Sequence, residues 1–250
     1  MLPQTVISNL KKVDPDRYRS ALFAEKLYRD RLNVLYAFHY ELAKVPELVS
    51  EPMIGAIRYQ WWRDAIEEIY SGKAVRAHEI STPLSEMLRE TAISRFWVDR
   101  LIEGRERDID PRPFENIEDA REYCRQTSGV LLQIAIKLTG GDPGNASEKL
   151  GEAWGLTGLA RAWGYYHQSM LSQLEFSEIC DAAAKTHKEA QIELGKIPPH
   201  MMPALAYTAL VPKYLRRLMR AAHEPETQLV SYTPLLKQFR LLGAVMTGRL

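Results

Sequence analysis

Apolar side chains recur every three or four residues along almost the whole chain, and no segment shows the apolar–polar alternation of a surface strand. The clearest case is Pro52–Tyr70, which Gly72 follows as a helix stop. Its predicted core face consists of Ile54, Ile57, Trp61, Ala65 and Ile69. Proline, glycine and capping residues divide the rest into further predicted helices at 14–18, 26–44, 82–90, 95–108, 117–138 with an interruption near Gly129, 147–167, 175–195, 203–222 and 234–247. The pattern predicts an all-α protein with one helical domain spanning residues 1–250.

The charge balance and the cysteine count exclude several classes of function. Lys plus Arg is 33 against 32 Asp plus Glu, so nothing points to a nucleic-acid partner. Cys124 and Cys180 are too few for a disulfide framework or a thiolate zinc site, and the six histidines lack ligand spacing. The chain shows neither a signal-peptide core at its start nor a run of roughly 18 apolar residues. We therefore expect a cytoplasmic protein, and peripheral contact with the inner membrane stays open.

Four segments carry a more particular pattern. They are LYAFHYELAKVPE at 35–47, LIEGRERDI at 101–109, EYCRQTSGV at 122–130 and LGEAWGLTGLAR at 150–161. In order and spacing they resemble the motifs of the squalene/phytoene synthase family, over about residues 20–220. The resemblance implies a helical bundle of the isoprenoid (terpenoid) synthase type. It also implies a cavity in which acids on two facing helices hold Mg²⁺ against prenyl diphosphates, because Mg²⁺ prefers hard oxygen ligands.

Almost all of the family's acids are absent from these two helices. The family's arginine and three aspartates on the first helix fall on Tyr40, Ala43, Lys44 and Glu47. Its glutamine, asparagine and two aspartates on the second helix fall on Gly155, Gly158, Ala162 and Tyr166. Only Glu47 is still acidic, and Asp108 is retained on a third segment. Since one carboxylate cannot hold several Mg²⁺ ions, we predict no catalytic residue, no metal site and no cofactor.

One branch of the family shows the same loss. The runs AFHYELAKV at 37–45, VSEPMIG at 49–55 and RYQWWR at 58–63 resemble its signature. That branch is regarded as non-catalytic and is linked to early assembly of NADH dehydrogenase. The resemblance therefore implies a binding or assembly factor whose protein partner is a subunit of respiratory complex I. The alternative is a Mg²⁺-dependent prenyltransferase that joins two prenyl diphosphates.

The residues of the altered site are candidates for ligand binding. They are Tyr36, Tyr40, Glu41, Lys44, Glu47, Arg105, Asp108, Tyr123, Arg161 and Tyr166. In one interpretation Lys44, Arg105 and Arg161 bind an anionic isoprenoid or lipid without metal. In the other, which we favour, they pair with Glu41, Glu47 and Asp108 as a buried polar network, and the tyrosines fill the former cavity.

Two further surfaces are candidates for contacts with partners. Arg58, Trp62 and Arg63 form a predicted protein-binding patch, with Trp61 assigned to the core, because Trp and Arg are enriched at interface hot spots. Ser50 is the predicted N-cap of the helix that follows it. The last helix, 234–247, is amphipathic and basic, so it predicts either peripheral membrane contact or packing onto the bundle.

Overall fold

The computed structural model describes residues 2–220 and 233–250, and every regular element within these residues is helical. The α-helices are α1 (Gln4–Val13), α2 (Pro15–Ala21), α3 (Lys26–Ala43), α4 (Pro52–Tyr70), α5 (Ser81–Glu90), α6 (Arg95–Glu106), α7 (Ile117–Cys124), α8 (Val130–Leu138), α9 (Asn145–Arg161), α10 (Trp163–Tyr166), α11 (Phe176–Leu194), α12 (Met202–Leu205), α13 (Val211–Arg220) and α14 (Pro234–Thr247). The predicted all-α class is confirmed.

Most helix positions agree with the sequence pattern, and three differ. The pattern does not predict α1, which follows Pro3 and ends with two lysines in its last turn. The predicted helix 147–167 is interrupted at Ala162, where the backbone leaves helical geometry. The predicted helix 203–222 is broken by the 3₁₀ segment Ala206–Leu210, and its last two residues lie outside the described part of the chain.

The interruption predicted near Gly129 is a π-helical turn, Arg125–Gly129, between α7 and α8. Helix α9 lies directly against this turn. A Cβ on Gly151 would meet Gly129 Cα at 2.5 Å and the Ser128 carbonyl oxygen at 2.6 Å. The two backbones approach this closely only because residue 151 has no side chain.

The core face predicted for α4 is correct at Ala65 and Ile69 and wrong at Ile54 and Ile57, which are exposed. The buried residues of this helix are Gly55, Tyr59, Trp62, Ala65, Ile66 and Ile69. Trp62 packs edge-on against Phe38 and His78, whereas Trp61 is only half-buried. The prediction that Trp62 binds a partner is therefore wrong. Both sides of α4 carry apolar residues, so periodicity could not decide which side faces α3 and α6.

The start of α4 also differs from expectation. The helix begins at Pro52, Glu51 occupies the N-cap position, and no side chain caps the helix. Ser50 is exposed and is not the N-cap. The predicted capping role of Ser50 is therefore wrong.

Helix α14 packs onto the bundle through Lys237, Leu241 and Ala244. The Lys237 ammonium donates to Asp16 Oδ1 at 2.8 Å, and Tyr214 donates to Asp16 Oδ2 at 2.5 Å, with all three side chains buried. This buried pair fixes the rotation of α14 about its own axis. Among the described residues, no helix is both long and apolar enough to cross a membrane.

Because Trp62 is buried and Ile57 is exposed, substitutions of these two residues should lower the free energy of unfolding by different amounts. Trp62→Ala removes a side chain that is 4% exposed and should lower the free energy of unfolding by about 3–5 kcal/mol. Ile57→Ser acts on a side chain that is 63% exposed, so the change should stay within about 0.5 kcal/mol. Urea denaturation of both variants checks this. A loss in Ile57→Ser at least as large as that in Trp62→Ala would mean that Ile57 lies on the core face, as the sequence predicts.

Candidate functional site

The one acid retained on the two motif helices lies at the mouth of a cleft. The 3₁₀ segment Val45–Leu48 continues α3 and places Glu47 at the rim. The cleft has a volume of about 320 Å³. Its lining includes Ala43, Glu47, Ser50, Glu51, Asp108, Tyr165, Tyr166 and Met170. We call it the carboxylate cleft. The structure therefore brings together three of the predicted site residues, Glu47, Asp108 and Tyr166.

Hydrogen bonds from Arg105 and Tyr123 hold Asp108 in place. Tyr123 donates its hydroxyl to Asp108 Oδ1 at 2.7 Å, and Arg105 Nη1 donates to Asp108 Oδ2 at 3.0 Å. Arg105 Nη1 also donates to the Tyr123 hydroxyl at 3.0 Å, and its Nη2 lies 2.8 Å from His39 Nε2. Both oxygens of Asp108 are thus engaged, and the charge of Arg105 is balanced within the protein.

His39 completes this chain as a neutral ring. Burial, together with the charges of Arg105 and Arg17, holds the pKa of His39 well below its usual range. Because Arg105 is always a donor, the Nε2 atom of His39 accepts its hydrogen bond. Burial also raises the pKa values of Tyr123 and Tyr166, so both phenols stay protonated. Of the network that the second interpretation predicts, this part of the structure contains the pair of Arg105 and Asp108, which Tyr123 joins.

Lys44 lies away from the carboxylate cleft. It forms an ion pair with Glu41 on the same helix, and its ammonium lies 5.6 Å from the centre of the Tyr40 ring. All three side chains line a shallow depression that α1 closes, on a side of α3 different from that of Ala43 and Glu47. Lys44 falls on one of the family's aspartate positions in sequence, but its charge does not enter the carboxylate cleft. The reason is helical phase, because successive residues on a helix are turned by about 100°.

A side chain from a third helix lies between the two motif helices. Arg17, on α2, reaches between α3 and α9, and its guanidinium carbon lies 5.9 Å from the centre of the Tyr36 ring. The rings of Trp154 and Tyr207 lie at 5.8 and 5.0 Å from it. Asp14 accepts from Arg17 at 2.9 Å and balances its charge. None of the three rings lines the carboxylate cleft, so the cleft does not continue into this part of the core.

Arg161, the remaining cationic candidate, lies apart from the others. Its guanidinium stacks on the Tyr214 ring with 4.3 Å between carbon and ring centre, in a cation–π contact. Tyr214 in turn bonds to Asp16. The structure thus places Arg161 beside the buried pair that holds α14, rather than beside Glu47 or Asp108.

Of the predicted protein-binding patch, two residues keep exposed surface. Arg63 is half-buried and donates to Glu106 at 2.7 Å. Arg58 is exposed and has no ion-pair partner among the described residues. The role of both in binding a partner stays a prediction.

A comparison with models of known protein families identifies the family of this chain. The family model described as squalene/phytoene synthase matches residues 10–174, more than half of the chain. The chain belongs to the squalene/phytoene synthase family. The match spans α3, the carboxylate cleft and all of α9.

Several curated proteins that are similar to this chain are not named as synthases. The mouse protein named NADH dehydrogenase (ubiquinone) complex I, assembly factor 6 is 25% identical over 240 residues, which covers 84% of this chain and 72% of the mouse chain. The human protein of that name is 24% identical over the same coverage. The Drosophila melanogaster homolog is 25% identical over 250 residues, covering 86% of this chain and 75% of its own.

Solved structures of synthases share the fold. A dehydrosqualene synthase in complex with ligand superposes with a TM-score of 0.79 at 17% identity, covering 97% of this chain and 94% of that one. Squalene synthase HpnC from Alicyclobacillus acidocaldarius gives 0.70 at 16% identity, over 88% and 94%. The chain therefore has the isoprenoid synthase helical fold.

The residues at the family's metal positions do not fit Mg²⁺. Mg²⁺ needs several hard oxygen ligands around it, usually carboxylates, waters and phosphate oxygens. On the side of α3 that faces the cleft, Ala43 offers no ligand and Glu47 offers a single carboxylate. Asp108 is already engaged by Arg105 and Tyr123. Within residues 2–220 and 233–250, no group of three or more His, Cys, Asp or Glu side chains could hold a metal ion.

The glycines at the family's glutamine and asparagine positions have opposite surroundings. A Cβ on Gly155 would meet Cys124 Cβ at 2.8 Å, so α9 packs closely against α7 here. A Cβ on Gly158 would meet nothing within 4 Å. At Gly155 the place of the missing side chain is therefore occupied by Cys124, whereas the space beside Gly158 is open.

Sequence reasoning missed a buried ionic network on the other side of α9. Glu152 is 1% exposed, and it accepts from Arg121 at 2.7 Å and from Arg125 at 3.0 Å. Thr186 of α11 donates to it as well, at 3.1 Å. The network joins α7, the π turn, α9 and α11. A glutamate inside an otherwise apolar stretch of α9 was the signal, but its partners lie about 30 residues away along the chain.

Because His39 and His187 are buried and neutral, we expect the protein to lose stability as the pH falls, before its carboxylates titrate. Burial lowers the pKa of His187 to about 4, and it also holds the pKa of His39 well below 6.5. In the unfolded chain both titrate near 6.5, so the unfolded state binds more protons as the pH falls below that value. The melting temperature should therefore drop between pH 7 and 5. His187→Gln should flatten this slope, and the exposed His200→Gln should not. A slope unchanged in His187→Gln would show that His187 is not responsible.

Proposed function

We propose that this protein assists the assembly of respiratory complex I (NADH dehydrogenase) and transfers no prenyl group. The observation that carries the proposal is a combination in one chain. It aligns over 84% of its length with proteins named as complex I assembly factors. At the same time, only Glu47 remains of the acids on the two motif helices. The protein keeps the helical scaffold of a synthase and offers it to a protein partner.

The interior of the bundle supports this proposal over prenyl transfer. The reaction needs a tunnel for the isoprenoid chain next to the metal-bound diphosphate. Here the Arg17 guanidinium lies between α3 and α9, with the rings of Tyr36, Trp154 and Tyr207 around it. The carboxylate cleft outside this space presents Glu47 and Glu51, which would repel a diphosphate in the absence of metal. Retention of an isoprenoid or other lipid stays a prediction.

A second part of the proposal concerns location, since respiratory complex I is a membrane complex. Helix α14 turns an apolar face away from the bundle, formed by Leu235, Leu236, Phe239, Leu242 and Met246, all exposed. The helix contains no acidic residue. An amphipathic helix of this kind binds at a membrane surface through its apolar face. We propose that α14 holds the protein peripherally at the inner membrane.

Loss of the protein should lower the amount of assembled NADH dehydrogenase. In cells of the source organism, deletion of the gene should reduce the complex on native gels, and the wild-type gene should restore it. Succinate dehydrogenase in the same membranes serves as the control. Normal NADH dehydrogenase after deletion would contradict the proposal.

Calorimetric titration with a non-hydrolysable farnesyl diphosphate analogue separates the two functions. We expect no binding that depends on Mg²⁺, because the residues at the metal positions do not fit the ion. Binding only in the presence of Mg²⁺, and not with EDTA, would restore the prenyltransferase alternative.

Flotation with anionic vesicles tests the role of α14. The wild-type protein should float, and Phe239→Ser combined with Met246→Ser should reduce the floating fraction several-fold, because both changes remove apolar area from the lipid-facing side. Ile192→Ser, on α11, is the matched control at an equally exposed apolar residue. Equal flotation of all three proteins would place any membrane contact elsewhere.

A further inference from the structure

A second apolar surface lies on α4, beside the carboxylate cleft. Met53 is 73% exposed, and Ile54 and Ile57 are also exposed. At about 100° per residue these three side chains lie within one face of the helix, and the half-buried Trp61 extends it by one turn. We call this surface the α4 stripe. The sequence assigns Ile54, Ile57 and Trp61 of this surface to the core, but the described part of the chain leaves Met53, Ile54 and Ile57 exposed.

The α4 stripe ends at unpaired acids. Glu47 and Glu51 are exposed, line the cleft next to the first turn of α4, and have no ion-pair partner among the described residues. Asp108, on the opposite wall, is balanced by Arg105. The net charge at this end of the stripe is therefore negative. Arg58 adds one positive charge two turns further along, on the flank of the stripe.

The charges distinguish the α4 stripe from the apolar face of α14. Anionic lipid headgroups would be repelled by Glu47 and Glu51, whereas α14 carries no acid. A protein segment with a Lys or Arg beyond its apolar residues would meet the acids favourably and cover the stripe. An amphipathic helix has this arrangement, with apolar side chains one turn apart that match those of Met53 and Ile57.

We propose that the α4 stripe and the carboxylate cleft together bind an amphipathic, basic helix of a partner protein. Apolar side chains of the partner cover Met53, Ile54 and Ile57, and a Lys or Arg enters the cleft between Glu47 and Glu51. The inference rests on the proposed assembly function in supposing a protein partner, and it assigns that partner's binding surface. The former metal site thus recognises a cationic side chain.

The test uses the full-length protein and two synthetic peptides. One is an amphipathic helix with leucines one turn apart and lysines in its first turn, and the other replaces these lysines with glutamates. By fluorescence anisotropy, the lysine peptide should bind the wild-type protein at least about tenfold more tightly than the glutamate peptide. Met53→Ser combined with Ile57→Ser should weaken this binding by about tenfold.

Charge reversal at the cleft makes the test specific. Glu47→Lys combined with Glu51→Lys should reverse the preference toward the glutamate peptide. Ile192→Ser and Glu103→Lys change equally exposed side chains on α11 and α6 and should leave the preference unchanged. All these sites are exposed, so melting temperatures should stay close to that of the wild type.

Several results would overturn the proposal. They are failure of both peptides to bind, a preference that survives charge reversal, and vesicle flotation that depends on Met53 and Ile57 rather than on α14. Sedimentation showing a dimer of this chain that Met53→Ser dissociates would identify a second copy as the occupant instead. If deletion of the gene lowers NADH dehydrogenase but the stripe variants restore it fully, the assembly function stands and this surface is the wrong one.

Discussion

The close approach of α9 to the π turn is the constraint on which the arrangement of the interior depends. Gly151 meets the backbone of Ser128 and Gly129 with no room for a side chain, and this contact sets the rotation of α9. With that rotation fixed, Glu152 points to Arg121 and Arg125, Trp154 points to Arg17, and Gly155 rests on Cys124. The successive side chains of one helix thus build an ionic network, an aromatic enclosure and a packed interface.

Charged side chains in the interior of the bundle are bonded to one another or enclosed by aromatic rings. Asp108 accepts from Arg105 and Tyr123, and the guanidinium of Arg17 is enclosed by rings and balanced by Asp14. Buried ion pairs of this kind need not add stability over apolar packing, but removing one partner leaves a buried charge without compensation. The networks therefore specify how the helices meet.

Charge also distinguishes the exposed apolar surfaces of the protein from one another. The apolar faces of α14 and α4 are both exposed, and the charges beside them differ. The face of α14 has no acid and is fixed by the buried Lys237–Asp16 pair, whereas the α4 stripe ends at Glu47 and Glu51. In the proposals made above, α14 contacts the membrane and the α4 stripe contacts a protein partner. Charge is the property that separates these two proposed contacts.

The sequence alone determined the helical class, most helix boundaries and the family frame, because these depend on local periodicity and on motif spacing. It left open whether Arg105 pairs with an acid or binds an anion. It could not determine which tryptophan of α4 is buried, since apolar residues lie on both sides of that helix and only the rings of Phe38 and His78 select Trp62. It also misplaced Lys44, whose direction follows from helical phase. Glu152 and Arg17 meet partners from distant segments, and such contacts exist only once the helices have packed. Tertiary structure decided these features because burial and charge compensation are properties of the assembled bundle rather than of any single helix.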